Sequence, residues 1–341
     1  MMSQEPQVES IEPPAETPQL LRGEWVTPPS PDPMTEHLTA HYWDGTGEPA
    51  WQVARLSQAA YAYRETTTGW ATVAKFYVVK TSSDAGRHAA NELAQIQTAQ
   101  AAHLAEGPVR AVRPLGLWRG TLLLEHVDGL TLEDVIAIRR SRPGTLADRL
   151  KRAAALLATL HTHSPRPDSA VDFASQVSYA HGVVHDLVRW GVLKHDPVTA
   201  DGLGRLIDHW SDRPSMGGFT PTLIHGDTTT TNFIFPWEGG AVMIDWERME
   251  PGDPALDLGR LMAELGHSIQ QHGGTVTEAV PAIQHLTDAY QEALPSDWDS
   301  DAVIERVQFY QASSMLRIAR NGWVSRLDRT ALVARAMALL S

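Results

Sequence analysis

Two short stretches of the chain bring imidazole, acid and amide side chains to fixed points beside apolar runs. In "LIHGDTTTTNFIF", residues 223–235, His225, Asp227 and Asn232 lie between two strand-like segments, and four threonines separate the Asp from the Asn. Thirteen residues past Asn232, the apolar run of "AVMIDWE" ends on Asp245. Such a set suits phosphoryl transfer from ATP. That reaction needs the phosphate charge neutralised by a metal and a cation, and a carboxylate to orient and deprotonate the attacking hydroxyl. Magnesium takes oxygen ligands, commonly a carboxylate or two together with the phosphates. Asp227 is the candidate base. Asn232 stands five residues on, far enough for a loop to turn back so that both face one point. Asp245 is the candidate metal ligand. Asn232 is one of only three asparagines, with Asn91 and Asn321, which makes its position informative. Taken singly, "HGD" is a polar turn and "IDWE" a strand end with a solvated acid; order and spacing together carry the reading.

The cation has few sources, because the lysines are Lys75, Lys80, Lys151 and Lys194. Lys75 lies inside the apolar "TVAKFYVV". An ammonium there costs desolvation unless it meets a partner, and its point charge suits phosphate. Strand alternation puts Val73 on the same face, where it can pack on adenine. The competing reading is a lysine that blunts a sheet edge; Lys80, at the end of the run, fits that better. Glu92, among alanines and apolar residues in "AANELAQI", is the best partner for Lys75, the alternative being an exposed helix acid.

These groups need rigid elements to hold them. "WQVARLS", "AYAYRE" and "WATVAKFYVV" predict three strands, with "TTTG" as the hairpin turn between the last two. "SSDAGRHAANELAQIQTAQAAHLA" predicts a helix capped by Ser83 or Asp84. "VRAVRPLGLW" and "GTLLLEHV" predict two further strands. Beyond "DGLTLEDVIAIRR" the chain turns mainly helical. "LADRLKRAAALLATLHTHS" predicts a strongly amphipathic helix. "DPALDLGRLMAELGHSIQQHG" predicts another, capped by Asp253 with Pro254 in the first turn. Residues 1–40 are rich in Pro and Glu without a hydrophobic period, and predict a largely disordered tail in which Trp25 is suited to dock on the body. The division is then a tail at 1–40, a nucleotide-binding N-lobe at 41–127, and a helical C-lobe with catalytic loop and acceptor site at 128–341.

The combined pattern of H-G-D, four residues, N, then I-D-W-E and "GDPALDL" resembles the aminoglycoside phosphotransferase and choline kinase-like superfamily, which is similar in fold to protein kinases. The resemblance runs from residue 51 to about 265. It implies a bilobal α+β fold: a small antiparallel-sheet N-lobe with one helix, and a larger, mainly helical C-lobe. It implies that His225 braces the catalytic loop, that Asp227 is the catalytic base, and that Asn232 and Asp245 hold Mg2+. Lys75 would contact the α- and β-phosphates of ATP, paired with Glu92. Asp257, a helix acid in a D-L context, would support the catalytic loop. Glu125 and Val127 of "LLLEHVDGLTL" would offer hinge backbone to the adenine edge, and "LATLH", ending at His161, matches a recurrent structural helix. The chain also departs from the pattern. Its first loop, "SQAA", has no glycine, and "TTTTN" lacks the His or Pro-Gly common there. The hydroxyls of Thr228 to Thr231 would satisfy turn backbone instead. Gly226 stands where protein kinases carry an Arg that reads a loop phosphate, which points to a small-molecule acceptor.

Composition narrows the classes further. A chain of 341 residues can build two lobes, each with a core. With no cysteine, disulfides, Cys-zinc sites and thiol nucleophiles are excluded. The net charge is −13 and no basic patch is visible, which argues against a nucleic-acid partner. The acidity serves solubility or favours a cationic substrate. No apolar run approaches the roughly 18 residues of a membrane helix, and the N-terminus lacks the basic start and apolar core of a signal peptide. The expectation is a soluble, cytoplasmic kinase, dependent on ATP and Mg2+. Its acceptor is a hydroxyl on a small molecule such as an aminoglycoside-like antibiotic, an amino alcohol or a sugar. The alternative is a catalytically idle kinase-fold protein that binds a nucleotide or ligand. The pairs His161/His163 and His181/His185 lack a third metal ligand and read as surface or capping residues. Trp190, Trp210, Trp237 and Trp323 read as packing residues. Arg248 and Glu250 follow the metal-binding strand and are placed to touch the acceptor. The acceptor's identity and the oligomeric state stay open.

Overall fold

The computed structural model describes residues 23–77, 82–169 and 171–341. They divide into two compact units: the described chain up to Gln100 with Ala111–Asp128, and Ala101–Arg110 with Gly129–Ser341.

The first unit opens with a departure from the expected tail. Val26 and Val53 exchange backbone hydrogen bonds of 2.9 and 2.8 Å. Helix α1 (Pro33–Tyr42) starts on Asp32, whose side chain accepts from the Met34 amide at 2.9 Å. Pro at the first helical position is pre-set for that geometry. Met34 and Leu38, one turn apart, are buried against a cluster that includes Val53, Ala74, Phe76 and Leu123. The predicted disorder therefore fails over 33–40, because two well-placed apolar residues and a cap suffice where bulk composition reads as polar. Trp25 does dock: its ring meets His126 edge-on at 6.2 Å, and the Arg64 guanidinium lies 4.2 Å over it. Residues 1–22 lie outside the described residues.

Strands β1 (Trp51–Arg55), β2 (Ala60–Glu65) and β3 (Ala71–Lys75) form an antiparallel meander. The Thr66–Gly69 turn closes with Gly69 N donating to Glu65 O at 2.9 Å, while the Glu65 carboxylate accepts from the Thr67 and Thr68 amides. Val78 to Lys80, the expected end of the third strand, lie outside the described residues. Helix α2 (Ser82–Ala99) begins one residue before Ser83, so Asp84 sits in its first turn rather than at its cap. The single strand expected over 109–118 breaks in two, β4 (Val109–Ala111) and β5 (Pro114–Trp118). Pro114 has no amide to donate and restricts the residue before it, so the ladder cannot run through. β5 pairs with β6 (Thr121–Glu125), giving a sheet ordered β1-β2-β3-β6-β5, whereas β4 belongs to a second sheet.

In the second unit, β7 (Gly129–Thr131) leads into α3 (Leu132–Ile138) through a capping box between Thr131 and Asp134. Helices α4 (Thr145–Thr162), α5 (Phe173–Arg189) and α6 (Pro197–Ser211) follow. Four short strands then interrupt the helices: β8 (Thr222–Ile224), β9 (Phe233–Pro236), β10 (Ala241–Met243) and β11 (Glu250–Gly252). The second sheet is ordered β4-β10-β9-β7, and β8 pairs with β11. Helix α7 (Pro254–Gln271) starts as expected, with Asp253 accepting from Ala255 N at 3.0 Å. Helices α8 (Val276–Ala293), α9 (Ser300–Arg320) and α10 (Arg326–Leu340) complete the unit.

Helix α7 packs along α9, and Gly259 makes that approach possible: a Cβ there would stand 2.7 Å from Gln311 N and from the Tyr310 side chain. The close approach lets α9 reach two acids, one in α7 and one at its cap. Arg306 meets Asp253 through Nε at 2.8 Å and Nη2 at 3.1 Å, both residues buried. Arg317 meets Glu264 at 2.5 Å. Among the described residues no helix is long and apolar enough to cross a membrane.

Candidate active site

In the first unit, Lys75 ends β3 and its Nζ lies 2.7 Å from Glu92 Oε2, with Glu92 fully buried. The alternation along β3 leaves Val73 and Lys75 half-buried on one face while Thr72 and Ala74 are buried on the other. The Glu92 oxygen also accepts from the Tyr77 hydroxyl at 2.5 Å. Glu125 closes β6, donating its amide to Arg113 O at 2.9 Å and accepting from Arg113 N through its carboxylate at 2.7 Å. Val127 follows two residues on and is half-buried. In the glycine-free first loop, Ser57 Oγ accepts from the amides of Ala59 at 3.1 Å and Ala60 at 3.0 Å. That loop is thus closed on itself by a hydroxyl.

In the second unit, the stretch from Ile224 to Asp245 is gripped by α7. The Asp257 carboxylate accepts from His225 N at 2.6 Å and Gly226 N at 2.9 Å, and lies 3.2 Å from His161 Nε2. His161 Nδ1 in turn is 2.7 Å from the Tyr290 hydroxyl. Burial alone would raise the Asp257 carboxyl, but the hydrogen bond and charge of His161, with the bonds from His225, hold it below the usual carboxylate range. Gly226 has φ +77°, and a Cβ there would stand 2.4 Å from Arg248 O. No side chain fits at this position, so the glycine is a backbone requirement as well as a departure from protein kinases.

His225 ties the two motif stretches together. Its Nε2 lies 3.0 Å from Ile244 O, so that nitrogen carries the proton, and Nδ1 accepts from Asp227 N at 3.2 Å. Burial pushes the imidazole pKa down against the pull of Asp257, Asp245 and Asp227, which matches the neutral tautomer the hydrogen bonds require. Asp245, next to Ile244, holds a left-handed φ of 66°, a conformation that costs a non-glycine residue roughly 1–2 kcal/mol. Asn232 donates from Nδ2 to Asp227 O at 2.8 Å, and its main-chain carbonyl accepts from Ile244 N at 3.0 Å. The threonine hydroxyls do not satisfy the turn backbone as expected: the buried Thr228 and Thr230 bond to other elements, and Thr229 meets Thr231. Thr228 Oγ1 donates to Asp257 O at 2.6 Å, and Thr230 Oγ1 donates to Glu133 Oε2 at 2.5 Å.

Two guanidiniums flank the Asp227 carboxylate: Arg260 Nη1 at 3.4 Å from Oδ1 and Arg248 Nε at 3.8 Å from Oδ2. Arg248 was expected near an acceptor; Arg260, Tyr77 and Tyr290 were not singled out. Arg260 stands one helical turn past Asp257 on α7, so helix periodicity carried its signal. Tyr77 and Tyr290 act through tertiary approach, and no local pattern marks them.

The antiparallel sheet with its Lys–Glu pair, and the helical unit with its His-Gly-Asp loop, define a protein kinase-like fold. The chain belongs to the phosphotransferase enzyme family, whose profile matches residues 53–303 and so extends past the motif region into α9. Solved structures with the same fold include aminoglycoside phosphotransferase APH(2'')-Ib with ADP bound, at 14% identity and TM-score 0.56, covering 90% of this chain and 96% of that one. An ethanolamine kinase from Plasmodium vivax matches at 14% identity and TM-score 0.56, covering 89% and 87%. The choline kinase LicA from Streptococcus pneumoniae matches at 16% identity and TM-score 0.51, covering 90% and 97%. No curated protein sequence matches the chain.

Proposed function

We propose that the chain is an ATP- and Mg2+-dependent phosphotransferase that moves the γ-phosphoryl group to a hydroxyl of a small molecule. The observation that carries this reading is the two-point grip of Asp257 on the His225 and Gly226 amides, which fixes the backbone leading to Asp227. Asp227 accepts the acceptor's proton as its oxygen attacks. Lys75, held as an ammonium by the buried Glu92, places a point charge on the α- and β-phosphates. Val73 packs on adenine, and the backbone of Glu125 and Val127 meets its edge. Asn232 and Asp245 fit magnesium by donor chemistry. Both offer oxygen, and the bond from Asn232 Nδ2 fixes its amide so that Oδ1 is the acceptor side. When bound, the metal supplies positive charge to the phosphate oxygens. In this reading the first unit takes the nucleotide and the second takes the acceptor.

The second reading, an idle nucleotide- or ligand-binding protein, is favoured by one feature: the Ser57 hydroxyl occupies loop amides that would otherwise cover phosphate. ADP release from Mg-ATP, measured across aminoglycosides, other hydroxylated antibiotics, amino alcohols and sugars, separates the two. Acceptor-dependent turnover that disappears with EDTA supports the enzyme. A Mg-ATP thermal shift without turnover on any acceptor supports the binding protein.

A further inference from the structure

The guanidiniums around Asp227 carry more hydrogen-bond donors than the described residues satisfy. Arg260 is 11% exposed, and among the described residues its single hydrogen bond is the 3.4 Å contact to Asp227. Its Nε is buried with no partner. The guanidinium has five donors in a rigid fork, suited to two oxygens of one anion. Arg248, 58% exposed, stands on the other oxygen of Asp227. Behind Arg260, Arg317 reaches Glu264 through Nη2, and its own Nε is buried without a partner. Burial and the nearby Arg317 push the Arg260 pKa down against the pull of Asp227 and Asp257. The groups present are three guanidiniums, the carboxylates of Asp227, Asp257, Glu264 and Glu133, and the Tyr179 phenol of α5; Asp257 is taken up by the His225 and Gly226 amides, and Glu133 by Thr230, Ser268 and His272, so neither serves the Arg260 fork. These open donors stand in a chain whose net charge is −13. An ammonium-bearing acceptor would meet like charge beside the base; a carboxylate or phosphate would complete the open donors.

We infer that Arg260 and Arg248 form an anion-recognition site beside Asp227, and that the acceptor is a hydroxylated compound carrying a carboxylate or a phosphate monoester rather than an amine. The inference rests on the phosphotransferase reading and narrows its substrate class. It sides with the reading in which the chain's acidity serves solubility, and against a cationic substrate.

The test uses matched probes on the full chain held at saturating Mg-ADP: gluconate, glucose, glucosamine and glycerol 3-phosphate. Thermal shift and titration calorimetry are read for wild type, Arg248→Gln, Arg260→Gln and Arg260→Lys. Arg248 is exposed, so its variant folds whatever Arg260 contributes to packing. Gluconate or glycerol 3-phosphate should bind at least tenfold tighter than glucosamine. That affinity should fall about 10- to 100-fold in Arg248→Gln and Arg260→Gln, the range for losing a hydrogen bond to a charged group. Arg260→Lys should recover part of it. The arm that responds assigns carboxylate or phosphate. Absence of binding by both anions, affinity untouched by the substitutions, or preference for glucosamine overturns the inference. Failure of Mg-ADP itself to shift the melting temperature strikes the phosphotransferase reading instead, so the two failures are told apart.

Discussion

Asp257→Asn tests the grip that aims the catalytic loop. The native carboxylate is fully buried and accepts from His225 N, Gly226 N and His161 Nε2 at 2.6, 2.9 and 3.2 Å. Asparagine keeps the shape but replaces one acceptor oxygen with a donor. Whichever way the amide turns, one of the two backbone N–H groups faces another N–H. Leaving that buried donor unpaired costs about 1–3 kcal/mol. Each of the two surviving bonds also loses its charge assistance, worth about 1 kcal/mol. The total is about 3–5 kcal/mol, the range for removing one partner of a buried charged pair. For a unit of this size each kcal/mol moves the melting temperature by about 2–4 °C, so the variant should melt roughly 10 °C lower by circular dichroism at pH 7. The pH dependence has a definite sign. The folded carboxyl lies below its unfolded value, so its stabilisation is present above about pH 4 and is lost as pH falls through the folded pKa. The gap between wild type and variant should therefore narrow in acid. A melting temperature within about 2 °C of wild type, or a gap that widens on acidification, refutes the reasoning.

Gly226→Ala forces a side chain into a left-handed residue and against Arg248 O; strain of at least about 1–2 kcal/mol plus the clash should lower the melting temperature and abolish phosphotransfer, and an unchanged melt would remove the backbone argument. Glu92→Gln leaves Lys75 without its 2.7 Å carboxylate; the KM for ATP should rise about tenfold, the size of a lost charged hydrogen bond, with steady-state kinetics as the readout and an unchanged KM the contrary result. Burial depresses the His225 pKa, so its neutral form stabilises the fold above the unfolded value of about 6.5, and that contribution drains away as pH falls toward the folded pKa. Urea midpoints between pH 5 and pH 8 should fall on acidification for wild type and fall less for His225→Gln; equal slopes would contradict the assignment.

Local chemistry was legible wherever the chain itself supplies the signal. β2 (Ala60–Glu65) has the bounds its alternation predicts, and α7 begins at the Asp253–Pro254 cap. The Lys75–Glu92 pair was also legible, because a lysine in an apolar strand demands a buried partner. What local pattern cannot carry is tertiary compensation. Helix α1 has only two buried apolar residues and reads as polar tail until the sheet face that covers them is known. The break between β4 and β5 was announced by Pro114, but which sheet each half joins depends on distant partners. The bond between Arg306 and the α7 cap Asp253 spans 53 residues of sequence, and no local pattern announces it.

The measurement that bears most directly on the account is phosphoryl transfer by Asp227→Asn beside its affinity for Mg-ATP. With the base removed and the nucleotide-binding residues intact, acceptor-dependent ADP formation should fall by about two to four orders of magnitude. Calorimetric affinity for Mg-ATP should stay within about threefold. Turnover near the wild-type rate would contradict the assignment of Asp227 as the base.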